Sequence, residues 1–314
     1  MSSQASIVSL CAALALCQAC TLTSQRVAPA TLGTPTSVVE MEKLLDEPGP
    51  IEASTITSAD WEVPLEGLVN LDSPGARAAH LVDRPEPIHI YSHLLRHPRY
   101  GSYLIDTGVA QRLADDPGGA GVAWPIRTFM HLEKLRVRTP TAQIVAGIPG
   151  GLQGVFFTHL HVDHISGMPE IPSSAALFVG RGESTATSLQ NAFVRGTTNR
   201  LLEGKADLQE WPFRRDEAQG HLAVGEVLDI FGDGSAFAIS VPGHTPGSTA
   251  YVVRSTRGAV LYTGDCSHTR WGWEHDVEPG SYTADQPLNR ESLLWLRALA
   301  ARHPQMQVRF GHQD

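Results

Sequence analysis

The chain is 314 residues long, 42% hydrophobic, and carries a formal net charge of -9 at pH 7, with a sequence pI of about 5.8. That length and apolar content suffice for one large domain with a substantial core. The acidic balance argues against nucleic acid or an anionic membrane surface as an electrostatic partner, and no run of about eighteen apolar residues occurs to form a bilayer-spanning helix.

The segment Ile7 to Cys20 is a short apolar run closing on small residues. It reads as an export signal, with a lipoprotein-type cleavage before Cys20 and a possible lipid anchor there, so the mature protein is expected to be periplasmic or membrane-anchored in a bacterium. Cys11, Cys17 and Cys20 all fall inside it, leaving Cys266 alone in the body and no internal disulfide there. Residues 21–60, rich in Thr, Ser, Pro and Ala up to Pro50, read as a flexible tether, and residues 61–314 as the folded domain. Pro87–Leu95 alternates like a strand, and Tyr100–Asp106 reads as its hairpin partner across His97-Pro98-Arg99. His89 and His93 share one face of that strand, read as a solvated or packed face ahead of a substrate contact. The recurrence of Phe129, Leu132 and Leu135 predicts a helix over 126–137. Further helices are predicted over 184–193 and 290–302. The stretch from Gly180 to Gly220 is expected to form a lid that selects the substrate.

Chemistry concentrates after the apolar run Gly154-Val155-Phe156-Phe157, in Thr158-His159-Leu160-His161-Val162-Asp163-His164. On an extended exit from a strand, His159, His161 and Asp163 alternate onto one side, and His164 turns in as the chain bends. Neutral imidazoles and a carboxylate suit zinc or a similar first-row divalent ion. Downstream, Val241-Pro242-Gly243-His244-Thr245-Pro246-Gly247-Ser248 follows the strand-like Ala236–Ser240, and Ala259–Asp265 is a buried strand ending on a carboxylate. The last strand, from Val308, feeds His312. Every candidate ligand therefore lies where a strand runs out, the usual place for functional groups in open α/β sheets.

These residues, in this order, resemble the metallo-β-lactamase superfamily over about residues 85–314. The resemblance implies an α/β fold, a four-layer αβ/βα sandwich with two mixed sheets flanked by helices. It implies a first divalent ion held by His159, His161 and His244, a second held by Asp163, His164 and His312, and Asp265 bridging the two. Asp106, at the end of Leu104-Ile105-Asp106-Thr107-Gly108, would orient a ligand histidine. The two ions would be zinc, with iron, manganese or cobalt as alternatives. A water bridging two such cations loses its proton near neutral pH and serves as the nucleophile, so no Ser, Cys or Lys nucleophile is needed.

Within the superfamily, the tail from Thr263 to Thr269 is most similar to the N-acyl-homoserine lactonases. Those enzymes carry a tyrosine three residues beyond the bridging aspartate, where this chain has His268. Asp163 and His268 are the candidate catalytic side chains, His268 as a donor of a hydrogen bond or a proton. Cys266 reads as a small buried residue beside the ligand. A second resemblance is to methyl-parathion-hydrolase-like enzymes, which act on aryl phosphotriesters and esters. Glyoxalase II-like thioesterases and non-hydrolytic oxidoreductase members are more distant. Trp271, Trp273, Trp211 and Phe213 are candidates for an apolar pocket that would take the acyl or aryl part of a small-molecule substrate.

Overall fold

The computed structural model describes residues 21–122, 124–188, 191–216 and 218–314. The expected export signal and Cys20 lie outside the described residues. Among the described residues, fourteen strands form two sheets. The first contains β1 (Val27–Pro29), β3 (Glu52–Pro64), β4 (Pro85–His97), β5 (Gly101–Ile105), β6 (Arg136–Val137), β7 (Leu152–Phe156), β8 (Ala176–Val179) and β9 (Leu208–Glu210). Its order is β1-β9-β8-β7-β5-β4-β3-β6. The second contains β2 (Thr34–Thr36), β10 (Val227–Asp229), β11 (Ala236–Ser240), β12 (Thr249–Ser255), β13 (Gly258–Tyr262) and β14 (Gln307–Arg309), in the order β14-β13-β12-β11-β10-β2. Both sheets mix parallel and antiparallel pairs.

The period-two alternation of the strands decides the layers. In β7, Phe156 joins Phe178, Trp211, Tyr251 and Tyr262 in the core between the sheets, while Val155 and the following Phe157 join the outer cluster with Leu104, Ile165 and Leu177. In β12, Tyr251 and Val253 point inward, whereas Ala250 and Val252 pack outward with Leu293, Leu296 and Leu299 of the helix Gln286–Arg302. The result is the four-layer αβ/βα sandwich. The predicted hairpin is β4 with β5, antiparallel from His93↔Ile105 to His97↔Gly101. The C-terminal helix begins earlier than its leucine pattern suggests, because Asp285 caps it by accepting from the Leu288 N–H.

Several expectations need correction. Residues 21–60 are not a tether. β1 pairs with β9, β2 pairs with β10, the helix Val38–Leu45 buries Met41 and Leu45, and β3 runs antiparallel along β4 from Glu52 to Pro64. Pro29 and Pro35 fall in β1 and β2, the outermost strands of their sheets, where a missing N–H costs little. The helix expected over 126–137 is broken at His131, whose φ is 50°. It divides into a helix Trp124–Phe129, a 3-10 turn Leu132–Lys134 and β6, and still buries Leu132 and Leu135. The helix expected over 184–193 is instead Asn191–Leu201, and Ser184 lies in a turn. Part of the expected lid is core, since β9 sits inside the first sheet and Trp211 follows it directly. Among the described residues no helix is long and apolar enough to cross a membrane.

Candidate metal centre

β5 and β7 run parallel and end side by side, at Asp106 and Thr158. Asp106 adopts a left-handed φ of 53°, a conformation Asp tolerates better than most residues. Its Oδ1 accepts from the Thr158 N–H at 2.8 Å, and its Oδ2 accepts from Thr158 Oγ1 at 2.8 Å and from His164 Nδ1 at 2.8 Å. One carboxylate thus fixes both ends of the His159–His164 segment. With Nδ1 committed to Asp106, His164 presents Nε2 to the cluster.

Three further histidines are set from behind in the same way. His312 Nδ1 faces the backbone oxygen of His89 at 3.0 Å, and His244 Nδ1 faces Thr283 Oγ1 at 3.2 Å. His159 Nδ1 lies 3.1 Å from Thr158 Oγ1. The remaining ring nitrogens of these three histidines and of His164 converge on Asp265, which sits in the turn after β13. From its Oδ2, Nε2 of His164 and His312 are 3.3 Å away, that of His244 3.5 Å and that of His159 3.7 Å. Asp163 Oδ2 is 3.3 Å from His312 Nε2 and 3.5 Å from His164 Nε2, and His161 Nδ1 is 3.0 Å from His244 Nε2. Gly311 makes this possible, because a Cβ there would stand 2.1 Å from Asp265 Oδ1.

Donor atoms bound to one ion at about 2.0–2.2 Å stand roughly 2.9–3.5 Å from one another, so the separations suit shared cations. His159, His161 and His244 form one group of converging donor atoms; Asp163, His164, Asp265 and His312 form another. All seven expected ligands are therefore brought together. His159 Nε2, His164 Nε2 and Asp265 Oδ1 are buried without a hydrogen-bond partner, a costly arrangement that metal ligation would resolve. The donor set, imidazole and carboxylate, fits zinc and its first-row neighbours.

The protonation pattern divides along the same two groups. Burial, reinforced for His159 by His164 and for His244 by His161, drives both rings well below the ordinary histidine value. Burial also lowers His161, against the pull of Asp163 and Asp265. Those three rings are neutral and ready to ligate. Burial opposes charge on His164 and His312 too, but Asp265 with Asp163, and for His164 also Asp106, overcomes it. His164 is raised well above the ordinary value and His312 to about 10. Burial acts to raise both carboxylates, yet His164 and His312 hold Asp163 and Asp265 below the usual range. In the second group, protons supply the positive charge that a cation would bring.

His268 is buried beside Asp265, with Nε2 2.9 Å from Asp265 Oδ2 and Nδ1 3.2 Å from the Leu68 backbone oxygen. Cys266 is buried, and burial followed by the Asp265 charge pushes its thiol far above the ordinary range, as a packed residue requires. His89 is bonded to Asp60 at 2.8 Å, and the buried His93 to Thr55 Oγ1 at 3.0 Å, so His89 is a half-exposed strand position and His93 a packed one.

The aromatic pocket residues do not gather here. Trp211 and Phe213 are both 0% exposed in the core between the sheets, and the Trp211 indole donates to the Tyr251 hydroxyl at 3.2 Å. Trp273 packs against Phe310, and only Trp271, stacked on His275 at 4.3 Å, is partly open.

Two residues escaped the sequence reading. Glu183, fully buried after β8, accepts from the Leu160 N–H and the Gly247 N–H, each at 2.9 Å, and so ties the His159–His161 loop to the His244 loop. Its signal was available, since it too is a carboxylate just past a strand end. Tyr282 lies close enough for the Asp163 charge to act on its hydroxyl; burial first and Asp163 second raise it to about 12, so the phenol stays protonated.

Residues 86–312 match the family described as the Metallo-beta-lactamase superfamily. The chain is 31% identical over 227 residues to the N-acyl homoserine lactonase AttM of Azorhizobium caulinodans, covering 70% of this chain and 80% of that one. Its counterpart AttM from Agrobacterium fabrum is 29% identical over 216 residues, covering 67% of this chain and 76% of that one. Among solved structures, AidC, a dizinc quorum-quenching lactonase in complex with a product N-hexanoyl-L-homoserine, aligns with a TM-score of 0.56 at 16% identity. That alignment covers 90% of this chain and 92% of the other, and speaks to the fold alone.

Proposed function

The chain belongs to the metallo-β-lactamase superfamily, and from that premise we propose that it is a dinuclear metal-dependent hydrolase that opens lactones. The observation that carries the proposal is the convergence of two donor groups on Asp265, with three of their atoms buried and unsatisfied. The names of the AttM relatives favour a lactone over other esters. His159, His161 and His244 would hold one ion, Asp163, His164 and His312 the other, and Asp265 both. When bound, two such ions supply Lewis-acid polarisation of an ester carbonyl and a hydroxide nucleophile near neutral pH. Asp106, Thr158 and Thr283 fix the ring orientations, and Glu183 holds the two ligand loops at a constant separation. Asp163 stands at the edge of the cluster and Tyr282 near it, placed to meet the substrate and the proton that the opened ring takes up.

Zinc is the proposed metal, with iron, manganese or cobalt able to use the same donors. The apolar run before Cys20 supports export and lipid anchoring, and mass analysis of the mature N-terminus checks it. Function is tested by metal analysis of protein purified after zinc supplementation, followed by turnover of a long-chain homoserine lactone, a simple δ-lactone and a 4-nitrophenyl phosphotriester. Two ions per chain and fastest turnover of a lactone are expected. Fewer than one ion per chain would sink the dinuclear reading. Preference for the phosphotriester would move the enzyme to the methyl-parathion-hydrolase type.

A further inference from the structure

We infer that His268 is itself a metal ligand, an eighth protein donor that binds through Nε2 on the side of the centre shared by His244 and Asp265. The inference rests on the proposed metal centre and goes beyond its seven expected ligands.

Both nitrogens of His268 face oxygens. Nδ1 lies 3.2 Å from the Leu68 carbonyl, which can only accept, so Nδ1 donates there and Nε2 is the nitrogen turned toward the centre. Nε2 then stands 2.9 Å from Asp265 Oδ2. The ring is only 1% exposed, so Nε2 and Asp265 Oδ2 face each other directly, out of contact with solvent. The separation equals that expected of two donors on one ion. His312 offers an internal comparison: its Nδ1 likewise faces a backbone oxygen, of His89, and its Nε2 lies 3.3 Å from the same Asp265 Oδ2. The metal-facing atoms of His244, Asp265 and His268 form a third convergent group. The His268 ring centroid lies 5.1 Å from that of His244 and 5.3 Å from that of His312, between the two donor groups. A ring so tied cannot also present an N–H to the substrate, so this assignment replaces the proton-donor role expected from the sequence.

The experiment titrates metal-free parent, His268→Phe and His268→Gln proteins with Co²⁺, following d–d absorption and chelator competition, with circular dichroism of each metal-free protein as the fold control. His268→Gln guards against a folding failure, because its amide keeps a polar group where the imidazole Nε2 stands, beside Asp265. The parent should bind two ions. His268→Phe should lose at least tenfold in affinity for one ion, with altered d–d intensity at that site and unchanged binding at the other; His268→Gln should do the same less severely. If both variants bind two ions with parental affinity and spectrum and only turnover falls, His268 is not a ligand and the inference is overturned. If the parent binds no Co²⁺, the metal centre itself is wrong and the inference falls with it.

Discussion

Asp106→Asn isolates the contribution of one carboxylate behind the metal centre. The side chain keeps its shape and tolerates the left-handed backbone, and its Oδ1 still accepts from the Thr158 N–H. At the second position an oxygen that accepted from Thr158 Oγ1 and His164 Nδ1 becomes an NH₂ donor. Thr158 can rotate and accept instead, but His164 cannot, unless its ring proton moves from Nδ1 to Nε2. That tautomer points a proton at the position of the ion. Mutating the partner that orients a ligand histidine costs about 10–100-fold in metal affinity, and here the loss should fall on the ion beside Asp163 and His312. Without metal, exchanging one charge-assisted hydrogen bond for a poorer contact removes about 1.5–3 kcal/mol, roughly 3–12 °C in Tm for a domain of this size. Chelator competition with Zn²⁺ measures the first quantity, and scanning calorimetry of the metal-free protein the second. Parental affinity for both ions would show that Asp106 does not set the His164 tautomer, and would refute the reasoning.

Other substitutions test other layers. Trp211→Ala should destabilise the protein by about 3–5 kcal/mol, by leaving a cavity between the sheets, without changing KM; denaturant unfolding with steady-state kinetics checks both, and a KM effect without a stability loss would return Trp211 to a pocket. Gly311→Ala places a Cβ against Asp265; a displacement of about 1 Å should lower kcat by about 10²-fold, with loss of metal visible by elemental analysis. Tyr282→Phe removes a phenol that stays protonated up to about pH 12. It should reduce lactone turnover by about tenfold, the value of one hydrogen bond, while metal content and the pH-rate profile below pH 10 stay unchanged. A shifted alkaline limb would mean that the phenol titrates during turnover.

The sequence made the donors legible because each is anchored to a strand end, and strand ends can be read from local apolar runs. His159 to His164, His244, Asp265 and His312 need no knowledge of the loops between them, and all meet as expected. Elements whose identity depends on partners were not legible. β1 and β2 contain proline and lack an apolar pattern; they exist because β9 and β10 offer open edges. The helix over 126–137 has the right spacing but turns back at His131, and β6 then pairs with β3. Trp211 has the same letter in a pocket or a core, and only its position directly after β9, with Tyr251 opposite its indole N–H, decides between them.

The same division explains why catalytic chemistry is better defined than substrate choice. His159, His164, His244 and His312 each lie beyond a strand end and are held by a contact from behind, so their placement survives changes in the loops around them. Substrate contact would come instead from side chains that the sheets do not fix. With Trp211 and Phe213 buried in the intersheet core, the large aromatics that solvent does reach include the exposed Trp124 and Phe193, at 70% and 72%, and the partly open Trp271. Trp124 and Phe193 stand on helices packed against the first sheet and Trp271 on the short helix after Asp265. Exchanges at these positions should therefore change the chain-length preference for lactones and leave the number of bound ions unchanged.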